Sequence, residues 1–267
     1  ERHLWQAIPA LAALGPKYMT VTYGAGGSTR DGTLSTLRLM RQRFPHIPLA
    51  SHLTYLSTTK TDLDPYIDLL WQMGVKHIVA LRGDLPKGRS FDEFHGDAYF
   101  HFTSDFVEAL LKKYPFEISV AAYPEKHPDA PSLAADIEAL KKKCAAGATR
   151  AISQFFFDND VFYRFRDQCA KAGIATPICP GLLPIHDYAS MCRFAARCHA
   201  GVPDFIHETF KEKALGADEA QTIATDLLIR QVKDLVANGV DHLHFYTLNK
   251  AQVTQDSCAV LGYRAAA

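Results

Sequence analysis

The feature that most narrows the fold is a period. Seven short β-type runs alternate with helical stretches: Tyr18 to Tyr23, Leu49 to Thr54, His77 to Arg82, Glu117 to Tyr123, Arg150 to Phe157, Ile174 to Pro180 and His242 to Leu248. A strand-to-strand spacing of roughly 25–35 residues is that of βα units, which stack into a parallel sheet. The intervening segments carry the helical period. Leu133, Ile137, Leu140 and Cys144 recur at four, three and four, which places them on one face of a helix. Ile223, Leu227, Leu228, Val232 and Leu235 form a second stripe, and Thr61 to Met73 reads as a helix with Pro65 near its start. Gly74, Gly147 and Gly239 each close such a helix just before the next strand, as glycine does at a helix C-terminus.

No Pro/Gly/Ser-rich linker interrupts this pattern, so the 267 residues read as one domain. Apolar residues make up 48% of the chain, enough for a large core. Lys plus Arg and Asp plus Glu are 29 each, so net charge offers no attraction to nucleic acid or to an anionic membrane. No stretch approaches the ~18 apolar residues of a membrane helix, and the first residues lack a signal-peptide pattern. The six cysteines form no C-x-x-C pair, and Cys192, Cys198 and His199 are too sparse for a metal cluster. We therefore expect no metal and a reducing, cytoplasmic setting.

A parallel sheet of this kind is either doubly wound or a (β/α)8 TIM barrel. Polar residues stand at the C-terminal ends of many strands: His52, Arg82-Gly83-Asp84, Tyr123, Gln154 and Tyr246. Functional groups spread over many strand ends, rather than gathered at one switch point, favour the barrel. Tyr23-Gly24-Ala25-Gly26-Gly27-Ser28 lacks the third glycine of a dinucleotide fingerprint. A barrel needs eight strands, and seven are visible. The chain opens in an amphipathic helix with Leu4, Ile8, Leu11 and Ala12 on one side, half of a βα unit. The expectation is an eighth strand N-terminal to residue 1.

Several segments suit chemistry at the barrel mouth. Gly24 to Asp31 is a glycine-rich βα turn able to approach a flat ligand, although an ordinary turn is an equal reading. Arg82-Gly83-Asp84 ends an apolar strand abruptly; the readings are an Arg82–Asp84 or loop ion pair, or a carboxylate that takes hydrogen bonds from the amidine-like edge of a heterocycle. Tyr123-Pro124-Glu125-Lys126-His127-Pro128 closes another strand with a dense polar run. Of Lys141-Lys142-Lys143, one can turn inward as a point charge for phosphate while the others stay solvated. Gln154 interrupts the most apolar strand with a donor–acceptor amide. His207-Glu208 is not H-E-x-x-H, since Lys211 stands where the second histidine belongs, and no G-x-S-x-G or Walker A motif occurs. Residue chemistry alone reaches a barrel enzyme binding a polar heterocycle.

Five segments carry more. Val21-Thr22-Tyr23-Gly24-Ala25, His77 to Pro86, Ser119 to Glu125, Gln154 to Asp158 and His244 to Asn249 together, in order and with similar gaps, resemble the bacterial methylenetetrahydrofolate reductase family, of the single-domain, FAD-dependent type. The resemblance spans essentially the whole chain. It implies a barrel holding FAD at its C-terminal face, and ping-pong hydride transfer from NAD(P)H through the flavin to 5,10-methylenetetrahydrofolate, giving 5-methyltetrahydrofolate. Thr22, His52, Arg82, Tyr123, His127, Asp136 and Lys143 look like its flavin-contacting positions, with Lys143 at the phosphate. Asp84 resembles the carboxylate beside flavin and pterin, Gln154 the amide on the pterin, and Phe194 the aromatic that stacks on substrate. The implied protein is a cytoplasmic homo-oligomer of one-carbon metabolism with no nucleic-acid or membrane partner. A folate-binding barrel without turnover, and a relative oxidising 5-methyltetrahydrofolate, remain compatible with the same motifs.

One departure stands out. The family's general acid is a glutamate in a Phe-Glu-Phe-Phe-Pro-like first strand, and this sequence has no such segment. Residues 1–267 are therefore expected to be a single catalytic domain whose first strand, with its glutamate, lies upstream.

Overall fold

The computed structural model describes residues 2–23, 30–211 and 216–262, and in it helices and strands alternate as the period requires. The strands are β1 (Met19–Val21), β2 (Leu49–Thr54), β3 (His77–Leu81), β4 (Glu117–Ala122), β5 (Arg150–Phe155), β6 (Ile178–Leu182) and β7 (His244–Phe245). Each pairs in parallel with its neighbour in sequence, from β1 through to β7. This order contains no reversal and hence no switch point, which excludes the doubly wound alternative.

Ten helices clothe the sheet: α1 (Arg2–Ala12), α2 (Arg30–Arg43), α3 (Lys60–Gln72), α4 (Thr103–Lys113), α5 (Leu133–Ala145), α6 (Asn159–Lys171), α7 (Tyr188–Cys198), α8 (Asp204–Lys211), α9 (Ala217–Ala237) and α10 (Gln252–Val260), counted among the described residues. Alternation along the strands sorts the two faces. Leu53, Ile78, Ala80, Ile118, Val120 and Ala151 meet the helical residues Leu37, Leu63, Phe106, Leu110, Ile137 and Leu140 in the main outer core. Ala50, Val79 and Ile152 point the other way and pack with Tyr18, Leu81 and Tyr246 inside the curl. Full burial of a Leu or Phe contributes about 1.5–3 kcal/mol, so the outer layer supplies most of the cohesion.

The sheet curls into a half-barrel. Tyr18, just ahead of β1, and His244 on β7 bring their rings to 6.4 Å. On the outside Gln255 of α10 donates to the Ala10 carbonyl of α1 at 3.3 Å. β1 and β7 do not pair with each other among the described residues, so the eight-stranded closure expected from sequence is not seen. The two edge strands are also the shortest, with three and two residues.

Two expectations shift. The sixth strand begins at Ile178, not Ile174, because Gly173 ends α6 and Ile174 folds back so that its N–H reaches the Cys169 carbonyl at 3.0 Å. Pro65 lies in the second turn of α3, since the helix starts at Lys60 behind a Thr59 cap that accepts from Asp62 N.

Beneath the strands' midpoint the interior is polar. His77 Nε2 and Ser119 Oγ lie 2.7 Å apart, Arg150 pairs with Glu117 at 2.8 Å, and the Arg150 guanidinium sits 5.3 Å from the Tyr18 ring. Burial lowers the imidazoles of His77 to about 4 and of His244 to about 3, and pushes the Tyr18 phenol up to about 12.

Candidate functional site

A cavity of about 820 Å³ opens at the C-terminal ends of β2, β3 and β4. This is the face where parallel strands of a barrel present their loops, and the volume is within the ~300–1,000 Å³ range of cofactor sites. Thr54 comes from β2, Arg82, Gly83 and Asp84 from the loop after β3, and Tyr123, His127 and Asp129 from the loop after β4. Phe102 and Thr103 at the start of α4, and Asp136, Lys142 and Lys143 on α5, complete the wall. Gly83 has φ +90°, and a Cβ there would meet Thr54, so the chain must turn left-handed to bring Arg82 and Asp84 to the rim.

Several polar wall groups have defined partners. Lys143 Nζ donates to the Ala121 carbonyl at 2.6 Å. Burial lowers its ammonium to about 8, with Asp136 opposing the fall. Asp136, itself buried, accepts the His127 backbone N–H at 2.7 Å. His127 Nδ1 accepts the Asp129 N–H at 3.0 Å, which puts the proton of the neutral ring on Nε2. Burial lowers the His127 imidazole, with Arg82 adding to the effect, so the neutral form is favoured. Arg82 pairs with Asp129 at 2.7 Å and lays its guanidinium 5.0 Å from the Phe91 ring. The Tyr123 ring stands edge-on to His127 at 4.6 Å, and burial pushes its phenol up to about 12. The wall thus presents N–H donors, the cations Arg82, Lys142 and Lys143, and carboxylates that include Asp84.

Six expected residues, Arg82, Asp84, Tyr123, His127, Asp136 and Lys143, therefore line one cavity. Four do not. Thr22 is exposed just after β1, and its carbonyl accepts from Thr33 Oγ1 at 3.0 Å; the next residue, Tyr23, reaches the cavity wall instead. His52 sits deeper on β2. Its Nε2 is enclosed without a hydrogen-bond partner, and burial, with His77 nearby, lowers the ring to about 4. Gln154 is the penultimate residue of β5 and turns its Oε1 back to the Phe155 N–H at 3.1 Å. Phe194 on α7 stacks on Phe155 at 5.4 Å and 15°, with Arg197 above it. Gln154 and Phe194 both contact Phe155, the first by that hydrogen bond and the second by stacking. The glycine-rich turn at 24–29 lies outside the described residues.

The loop ion pair anticipated for Arg-Gly-Asp exists, but Arg82 takes Asp129 as its partner. Asp129, Lys126, Thr54 and Phe102 were not singled out as site residues. The run His127-Pro128-Asp129 was the available signal for Asp129, since the residue two after a histidine in a tight loop can donate its backbone N–H to the ring.

A family model described as methylenetetrahydrofolate reductase matches residues 1–262. The 5,10-methylenetetrahydrofolate reductase of Salmonella typhimurium is 39% identical over 264 residues, covering 99% of this chain and 86% of that protein. The Escherichia coli protein of the same name is 40% identical with the same coverage. Methylenetetrahydrofolate reductase (NADH) 1 of Zea mays is 32% identical, over 92% of this chain and 43% of the plant protein.

Proposed function

This chain belongs to the methylenetetrahydrofolate reductase family, and from that premise we propose that it reduces 5,10-methylenetetrahydrofolate to 5-methyltetrahydrofolate with NAD(P)H and FAD. The observation that carries the reading is the convergence of Arg82, Asp84, Tyr123, His127, Asp136 and Lys143 on one cavity at the strand ends.

The donor set fits a flavin dinucleotide. Its diphosphate needs cations and N–H donors, and Arg82, Lys143 and the His127 Nε2–H supply them. His52, with its enclosed and unpartnered Nε2, offers a further polar contact from below. FAD, when bound, supplies the two-electron transfer between nicotinamide and folate.

The chain's own residues bind and orient. Lys143 is anchored on the Ala121 carbonyl and so offers its remaining N–H groups from a fixed position. Asp84 at the rim accepts hydrogen bonds from the pterin's amidine edge. The Gln154 amide must leave the Phe155 N–H to reach a ring, a small side-chain rotation. Phe194, held flat by Phe155, gives an aromatic surface on which nicotinamide or pterin stacks and which excludes water. We read residues 1–267 as one catalytic domain, and the facing edges of β1 and β7 as the place where an eighth strand completes a (β/α)8 barrel. No described helix is long and apolar enough to cross a membrane.

The test is the two half-reactions. The purified protein is expected to carry a yellow flavin chromophore, to oxidise NAD(P)H with menadione, and to pass the same electrons to methylenetetrahydrofolate. Menadione turnover without folate turnover would leave a folate-binding barrel, and absence of flavin would sink the reading altogether.

A further inference from the structure

Lys126 belongs to the Tyr-Pro-Glu-Lys-His-Pro run but has no place in the chemistry above. Its backbone is left-handed, φ 78°, a conformation that costs a non-glycine residue about 1 kcal/mol or more. Its side chain doubles back onto its own loop. Nζ donates to the carbonyls of His127 at 3.0 Å, Pro128 at 3.3 Å and Ala130 at 2.6 Å. An ammonium has three N–H donors, and here three carbonyls take them. The arrangement is a small oxygen cage with a tethered cation at its centre.

The caged segment is the one that faces the cavity. His127, Asp129 and Ala130 all line it. Within the segment the His127 N–H is fixed by Asp136, the His127 Nδ1 by the Asp129 N–H, and the Asp129 carboxylate by Arg82. Three carbonyls turned together repel one another, and the cation between them offsets that repulsion, adding to the Ala130 N–H to His127 carbonyl hydrogen bond of 3.0 Å that closes the turn. The tautomer of His127 and the position of the Arg82 partner both depend on that curl.

We propose that Lys126 is a positioning residue of the cavity, an internal cation that holds loop 127–130 so that His127 presents Nε2–H. The inference rests on the reading of the cavity as a flavin site only for its consequence in binding; the loop geometry stands apart from it.

The experiment uses the whole chain with Lys126→Ala, Lys126→Gly and the wild type, each first checked for an unchanged circular-dichroism spectrum. Two quantities are read: the ring ¹⁵N shifts of His127 at pH 8, and the Kd for FAD by fluorescence quenching. In the wild type His127 is a single Nε2–H tautomer. Lys126→Ala is expected to mix the tautomers and to weaken FAD about tenfold, the size of losing one set of hydrogen bonds to a charged group. Propylammonium chloride, which has the shape of the deleted side chain, is expected to restore both, and tetramethylammonium at the same ionic strength neither. Lys126→Gly, which accepts the left-handed φ freely, is expected to behave like the alanine variant. A glycine variant with wild-type tautomer and affinity would overturn the proposal, leaving Lys126 a backbone accident. So would failure of propylammonium to restore either quantity. If the wild type does not bind FAD while the tautomer still follows Lys126 and propylammonium, the positioning role stands and the flavin reading falls.

Discussion

Arg82, just after β3, donates to Asp129, in the loop after β4, across 2.7 Å, so this cation of the cavity is held by a carboxylate of the same protein. The Asp129 carboxyl is kept below the usual carboxylate range by that hydrogen bond and stays ionised. Any phosphate reaching Arg82 must share it with Asp129 or displace it. Both side chains are substantially exposed, at 35% and 53%, so water screens the pair and it contributes at most ~1 kcal/mol to stability. Asp129→Asn is therefore expected to leave the melting temperature nearly unchanged and to tighten FAD binding by roughly three- to tenfold. A fluorescence titration at low and moderate salt checks this, and weaker binding in the variant would count against the competition.

Lys143 differs because it is anchored and enclosed. The Ala121 carbonyl takes one N–H, and burial lowers its ammonium to about 8 against about 10.5 in the unfolded chain. Between those values the unfolded state binds more protons than the native state, so stability rises with pH from about 8 to 10.5. Lys143→Met removes the cost of burying a charge along with the cation. It is expected to fold, to lose that alkaline rise, and to bind FAD at least tenfold more weakly. Urea melts at pH 7.5 and 9.5, with flavin content after gel filtration, test both halves.

Much of this architecture was legible in the chain. The βα period fixes the parallel sheet because it reports which residues must be buried, and Leu133, Ile137, Leu140 and Cys144 face the core as their spacing requires. Of the residues named by the resemblance, Arg82, Asp84, Tyr123, His127, Asp136 and Lys143 line one cavity, since each lies beyond a strand end or on the helix behind it. What escaped was partner choice. Nothing in Arg82-Gly83-Asp84 says that the arginine reaches forty-seven positions on to Asp129, because a loop's carboxylates compete through space. Lys126 was invisible for a related reason: a lysine that folds onto its own loop has the same letter as a solvated one. Gln154, read as an amide among aromatics, turns its Oε1 to its own neighbour's N–H, a local partner that no spacing announces.

The polar layer under the cavity predicts an acid weakness. His52, His77 and His244 are lowered to about 4, 4 and 3, chiefly by burial, from about 6.5 when unfolded. Between pH 6.5 and 4 the unfolded chain binds protons that the native interior refuses. Their contribution is thus complete above pH 6.5 and lost as pH falls toward 4, with a limiting slope of ~1.4 kcal/mol per pH unit for each proton. Arg150 deepens the effect at His77, and Glu117 opposes it. His77→Asn keeps a polar group beside Ser119 and cannot titrate. Its unfolding free energy is expected to fall less steeply than the wild type's between pH 6.5 and 4.5, by about one proton. Equal slopes would remove His77 from the account.

Gly181 on β6 tests how tightly the interior is closed. Its N–H donates to Ser153 Oγ at 2.8 Å, and Tyr246 donates from its hydroxyl to the Ser153 carbonyl at 2.9 Å. A Cβ at position 181 would collide with the Ser153 carbonyl oxygen and lie 2.5 Å from the Tyr246 ring. Neither obstacle is the free end of a flexible chain: one is β5 backbone, the other a ring bonded at its hydroxyl and packed against Phe155. Gly181→Ala must push β5 and β6 apart or drive Tyr246 from its seat, at a cost of about 3 kcal/mol. Between the Ile152–Cys179 and Phe155–Gly181 pairings β5 carries one residue more than β6, so position 181 packs against a bulge whose Ser153 carbonyl is held by the Tyr246 hydroxyl. Gly181→Ala combined with Tyr246→Phe separates the two obstacles. Phenylalanine frees the ring from its hydrogen bond but leaves the carbonyl in place, so only a minor part of the stability is expected to return in urea unfolding. Near-complete recovery would mean that the tyrosine, and not the β5 backbone, sets the limit.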